Sequence, residues 1–154
     1  MPREIANPWP HNECFFCGSA SEQGLKLRFF WDEELEEAFA DWVPDRRFKG
    51  QGDILHGAIQ MGLLDEAMGW SCFECTGSLA VTADMNIRFR RPLYFRDKPI
   101  RVSCRCLGQD GPRVRLAAEL VDDEGTVCTK AEGTFHMVPR EKYDALVDDP
   151  HARR

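Results

Sequence analysis

Apolar residues along the chain follow two periods, and the switch between them outlines the fold. LKLRFFW (25–31) and AFADWV (38–43) alternate or cluster apolar residues at strand spacing, and the acidic DEELEE between them suits a hairpin. PDRRFKGQGD (44–53) is polar with two glycines and predicts a loop. LHGAIQMGLLDEAMGW (55–70) is apolar on most sides and predicts one long buried helix over about 56–74. The period then returns to two. In VTADMNIRFR, Val81, Ala83, Met85, Ile87 and Phe89 alternate with Thr82, Asp84, Asn86, Arg88 and Arg90, a half-buried strand ended by Arg91-Pro92. IRVSCRC, RVRLAAEL and VCTKAEGTFHM repeat the alternation, and QDGP and DDEG between them carry turn chemistry, so an antiparallel meander is expected. REKYDALVDD predicts a short helix and HARR a frayed end.

This order predicts an α+β fold. One helix cannot cover a sheet of five to six strands unless the sheet curls around it. Such a sheet keeps an open edge and an uncovered face, which oligomerisation resolves. A single domain over 1–154 is expected, with an irregular lead-in over 1–24, rich in Pro, Asn, Ser and Gly, and a tail over 139–154.

Composition narrows the function more than the fold. A net charge of -6 argues against general nucleic-acid binding, which needs a basic footprint. No apolar run approaches the roughly 20 residues of a membrane span. MPREIANPWPHNE lacks the apolar stretch of a signal peptide, so the expected compartment is the cytoplasm. The 7 cysteines are then expected as reduced thiols or metal ligands rather than disulfides. Cys14–Cys17 and Cys72–Cys75 are both C-x2-C pairs, with His11 near the first. Their separation is far longer than compact zinc-ribbon spacing, and the first pair also reads as a turn closed by Gly18.

The long helix carries the chemistry. Asp65 and Glu66 sit in its apolar middle, where an unpaired carboxylate is costly. Gly57 falls where the helix begins, and helix N-termini present unpaired N–H groups to which a glycine gives close access. Such an N–H suits a carbonyl oxygen that gains negative charge during acyl transfer. Asp65 is about 12 Å further along the axis at 1.5 Å per residue, too far to act on the same carbonyl from the same chain. Either the two serve different purposes, or two antiparallel chains build each site from Gly57 of one and Asp65 of the other.

HGAIQMGLLDEAMG resembles the His-Gly-Gly…Leu-x-Asp/Glu helix of hotdog-fold acyl-CoA thioesterases of the phenylacetate (PaaI-like) branch. VTADMNIRFRRP is similar to the strand that follows that helix, and CFFCG…QGLKLRF resembles a leader of some members, so the likeness spans about 14–138. It implies a sheet wrapped around one helix, and homodimers that often pair into dimers of dimers. It also implies acyl-CoA hydrolysis without metal or cofactor. Carried over by position, Gly57 polarises the thioester carbonyl, Asp65 acts as general base or nucleophile, and Thr82 positions water or the carboxylate. The family's Asn or Gln seven residues before the glycine falls on Gly50, beside Gln51, and its second glycine is Ala58. His56, Gln51 and Ala58 are thus substrate-binding candidates at the helix mouth. Arg88, Arg90 and Arg91 form the densest basic cluster and suit CoA phosphates through the guanidinium fork.

Competing readings attach to the same residues. Asp65 also reads as an interface ion pair, Glu66 as structural, His56 as a helix cap, and the arginines as a solvated strand face. At the level of function the alternatives are a non-catalytic acyl-CoA-binding hotdog protein, a hotdog hydratase or dehydratase using His56, and a zinc module built on His11, Cys14 and Cys17.

Overall fold

The computed structural model describes residues 1–8 and 12–148, with side chains given to residue 145. His11 and the terminal HARR lie outside the described residues. Strands β1 (Arg3–Glu4), β2 (Phe30–Asp32) and β3 (Glu37–Trp42) precede helix α1 (Gly57–Thr76). Strands β4 (Ala80–Phe89), β5 (Ile100–Asp110), β6 (Arg113–Val121) and β7 (Val127–Met137) follow it, and α2 (Arg140–Asp148) comes last. The strands form one antiparallel sheet in the order β1-β2-β3-β5-β6-β7-β4. α1 packs against β3, β4, β5, β6 and β7, so the sheet curls around the helix as the hotdog arrangement requires.

The helix begins at His56, whose imidazole Nδ1 accepts the N–H of Ala58 at 2.9 Å. It ends at Gly77 in the left-handed region, whose N–H bonds Phe73 O at 2.8 Å. Leu63, Leu64, Ala67, Met68 and Cys72 are buried at helical spacing against the sheet. The opposite stripe is covered by the lead-in. The Phe16 ring presses its Cζ end against Gly62, where even a single Cβ would sit 1.9 Å from Phe16 Cζ.

Four expectations change. The segment 25–29 is not a strand, although Leu25, Leu27 and Phe29 alternate into the core. Its N–H groups bond the lead-in instead, Leu25 to Phe15 O and Leu27 to Phe16 O, both at 2.9 Å. The lead-in also contributes β1, which brings the sheet to seven strands rather than five or six. The meander holds for β5, β6 and β7 only. Both edges of β5 are taken, by β3 and β6, and β4 pairs with β7. Consecutive strands pair reliably only across short turns, and a long connection separates β4 from β5.

The fourth change bears on the site. A bulge between Thr82 and Asp84 reverses the alternation of β4. Thr82 pairs with buried Phe135, whereas beyond the bulge Met85 and Ile87 pair with Gly133 and Ala131 on that same inner face. Strict alternation puts Thr82 on the outer, polar face; the extra residue turns it inward toward α1. β4 is also less buried than its pattern implies, with Val81 56% and Phe89 53% exposed on an unpaired edge.

Candidate active site

α1 and β4 together place Asp65. Thr82 Oγ1 donates to Asp65 Oδ1 at 2.5 Å, a short charge-assisted bond that holds the carboxylate in one orientation. The pair lies on an open groove of about 680 Å³ whose lining includes Glu66, Trp70, Phe73 and Phe135. The groove therefore joins an oriented carboxylate to an aromatic wall.

Gly57 lies at the N-terminal mouth of the helix, outside that groove. Ala58 N–H is taken by His56 Nδ1, and those of Ile59 and Gln60 by His56 O at 3.0 and 3.1 Å. Among the described residues the Gly57 N–H has no acceptor, so of the helix's first four donors it is the one free for a ligand. The Phe89 ring stands over it, 3.5 Å from where a Cβ would lie.

The other candidates separate. His56 is exposed at the helix mouth, and its Nδ1 is committed to the cap, which leaves Nε2 as its free ring nitrogen. Ala58 and Gln51 are both exposed, Ala58 in the first turn and Gln51 in the preceding loop. The arginine cluster divides. Arg88 lines a hollow of about 860 Å³ on the outer sheet face with Glu37, Glu119 and Lys130. Arg90 and Arg91, just past Phe89, line a smaller hollow of about 520 Å³ with Thr126 and Val127. Only that second pair follows Phe89 directly, near the Gly57 end.

The structure also assembles a group that linear reading left apart. Cys14, Cys17 and Glu66 bring their sulfur and oxygen atoms within 4.8 Å of one another on the same groove. Trp70 Nε1 donates to Glu66 Oε1 at 3.3 Å. Burial pushes the Glu66 carboxyl up to about 7, with Cys14 and Asp65 adding to the rise. The Cys17 thiol, aided by the N–H groups of Cys17 and Phe16, holds Cys14 down to about 5, while Cys17 itself is raised. The C-x2-C-G spacing was the signal in the sequence; that Glu66 completes the group depends on how the lead-in docks. All 7 cysteines are free thiols.

Comparison with known proteins places this geometry in a family. Residues 52–129, which hold Gly57, Asp65 and Thr82, match the model of the thioesterase superfamily. Bovine acyl-coenzyme A thioesterase THEM4 is 28% identical over 95 residues, 61% of this chain but 38% of that protein, so the match spans well under half of its length. A crystal structure of a thioesterase superfamily protein superposes with a TM-score of 0.72 at 18% identity, covering 80% of this chain and 60% of that one. Escherichia coli PaaI, from the phenylacetic acid degradation operon, gives 0.63 at 19% identity over 68% of this chain and 74% of its own. A Streptococcus mutans protein bound to acetyl-CoA gives 0.62 at 16% identity, covering 67% and 82%. The structural likenesses carry the curled sheet and central helix, and the family model covers half of the sequence: the chain belongs to the thioesterase superfamily.

Proposed function

We propose that the protein hydrolyses acyl-CoA thioesters, releasing CoA as a thiol and the acyl group as a carboxylic acid. The observation that carries this reading is Asp65 held by Thr82 at 2.5 Å on an aromatic-lined groove. Thr82 occupies Oδ1, which leaves Oδ2 to accept a proton from water as it attacks the carbonyl carbon. The carbonyl oxygen, anionic in the tetrahedral intermediate, takes the free Gly57 N–H. Collapse of the intermediate breaks the C–S bond, and the proton leaves with the thiol. The scheme uses no metal.

Asp65 and Gly57 of one chain are about 12 Å apart, so the scheme joins Asp65 of one chain to Gly57 of a second. β4 supports that pairing. It is a ten-residue edge strand carrying exposed apolar residues, and an unpaired edge is a template for a second copy. An antiparallel β4–β4 pairing brings the Phe89 end, which carries Gly57, to the partner's Thr82 end. Arg90 and Arg91, at that same end, are the better placed of the basic residues for CoA phosphates; Arg88 is assigned no role. Acetyl-CoA bound to a structural neighbour supports the ligand class.

The test is thiol release from a panel of aliphatic and aromatic acyl-CoAs, with Asp65→Asn beside wild type. Loss of a general base is expected to lower kcat by about 10²–10⁴-fold. Full-rate turnover by Asp65→Asn, or no turnover of any ester by wild type, overturns the proposal.

A further inference from the structure

We propose that Cys14, Cys17 and Glu66 are three ligands of a tetrahedral zinc ion whose fourth position opens onto the groove beside Asp65. The inference stands on the lead-in and one face of α1, and does not depend on the hydrolytic reading.

The distances fit a metal's coordination sphere. Cys14 Sγ lies 3.7 and 3.8 Å from the two Glu66 oxygens, and the three ligand groups fall within 4.8 Å of one another. For Zn–S of about 2.3 Å and Zn–O of about 2.1 Å, a tetrahedral S···O edge is about 3.6 Å. Sulfur and oxygen therefore already stand about one coordination edge apart. Two thiolates and a carboxylate suit borderline-soft zinc; calcium and magnesium take oxygen ligands.

The loop is built to hold its sulfurs in place. Asn12 Oδ1 accepts the Cys14 N–H at 2.8 Å, and Asn12 Nδ2 lies 3.5 Å from Cys17 Sγ. Gly18 N–H bonds Cys14 O at 2.8 Å, closing the turn. A Cβ at Gly18 would lie 2.5 Å from Asn12 O and from Cys14 N, so the turn closes only around a glycine. On the helix side, Trp70 Nε1 fixes Glu66 by the outer-shell contact that orients metal ligands.

Electrostatics also call for a cation. Three groups that can each become anionic meet in a half-buried place, and among the described residues the partners of Glu66 are Cys14, Cys17 and Trp70, with no lysine or arginine. Buried acidic groups in contact need neutralisation, by protons or by a metal. Zinc binding would displace the proton held between the two sulfurs to solvent. It would also fasten the lead-in to α1 one residue from Asp65, making the groove wall a metal-closed structure.

The test uses the whole reduced protein stripped by a chelator and titrated with cobalt(II), then zinc. The expected result is one cobalt per chain with tetrahedral d–d and thiolate charge-transfer bands, displaced by one zinc. Cys14→Ser and Cys17→Ser abolish the bands and Cys75→Ser leaves them unchanged. Glu66→Gln, which keeps shape and the Trp70 contact, weakens zinc binding by at least about a hundredfold, the upper range seen for outer-shell losses. Absence of stoichiometric binding by reduced wild type, octahedral bands, or wild-type affinity in Glu66→Gln overturns the proposal. No readout involves substrate, so failure here is distinct from failure of thioester hydrolysis.

Discussion

Gly57→Pro removes one N–H from the helix mouth and little else, which makes it the sharpest probe of the shared site. Gly57 is the first helical residue, where proline is favoured because its missing N–H has no helical acceptor. The preceding residue must be extended before a proline, and His56 already has φ -56° and ψ 134°. A Cβ there meets the Phe89 ring at 3.5 Å, an ordinary contact. The fold and its thermal midpoint are therefore expected to survive. Loss of one oxyanion donor costs about 2.7–4 kcal/mol, so kcat should fall by about 10²–10³-fold. Gly57→Ala keeps the N–H, adds the same Cβ, and should stay near wild type. The assay is thiol release, run also on mixed dimers. Chains carrying Gly57→Pro and Asp65→Asn each lack half of a site, but one site in a mixed dimer takes both intact halves. Random one-to-one mixing should recover about a quarter of the wild-type rate. Full activity in Gly57→Pro refutes the carbonyl role, and no recovery on mixing refutes the sharing between chains.

Three further outcomes follow from named contacts. Thr82→Val removes the hydroxyl that orients Asp65; at this solvent-accessible contact the low end of about 1.5–3 kcal/mol applies, or about tenfold in kcat. Thr82→Ser should restore most of it, and the double variant with Asp65→Asn should be no slower than Asp65→Asn alone; additive losses would show that the two do not act as a unit. Gly62→Ala drives a Cβ into the Phe16 ring and should destabilise the protein by about 1–3 kcal/mol in thermal unfolding, with Phe16→Ala added in the same chain relieving part of it. Cys75 is exposed and held down to about 7 by the Cys106 thiol donating to it. Its thiolate, and hence its alkylation by iodoacetamide, should rise through pH 7, and Cys106→Ala should move that profile up; a profile unmoved from the ordinary 9.0 contradicts the assignment.

The helix, its limits and the inner residues of β5, β6 and β7 were legible because burial imposes a period that local sequence cannot hide. What was not legible depended on partners distant in the chain. The alternation of β4 reads as regular, yet one inserted residue before Asp84 turns Thr82 to the opposite face, and a bulge leaves no mark in a hydrophobic pattern. Leu25, Leu27 and Phe29 alternate as strand residues do, but their N–H groups bond a loop rather than a strand. Arg88 and Arg90 look like neighbours in a basic run, yet they line separate hollows. Gly57 and Asp65 could be singled out as candidates because a helix mouth and a carboxylate inside an apolar helix are legible from spacing, whereas the roles proposed for them came with the resemblance.

Asp65 and Glu66, adjacent in an apolar helix, resolve into two jobs because neighbouring residues project about 100° apart. The stripe Gly62–Glu66–Trp70 takes the lead-in and the segment that follows it: Phe16 meets Gly62, Cys14 meets Glu66, and Trp70 stacks on Phe29 at 5.8 Å. The stripe Met61–Asp65–Gly69 turns toward the β4 side, where Thr82 holds Asp65 and Phe135 approaches within 3.8 Å of where a Cβ on Gly69 would be. The groove is the gap between what covers the first stripe and what borders the second. A helix wrapped only by its sheet would leave Glu66 in water and give the groove one wall. The lead-in supplies the second wall, and Glu66 is where that wall is attached. Substitutions at Phe16, Cys14 or Glu66 therefore reshape the groove from the lead-in side, while those at Thr82 act on Asp65 directly. The two carboxylates are accommodated in an apolar helix because each meets polar groups on its own face, Asp65 the Thr82 hydroxyl and Glu66 the Cys14 thiol and the Trp70 N–H.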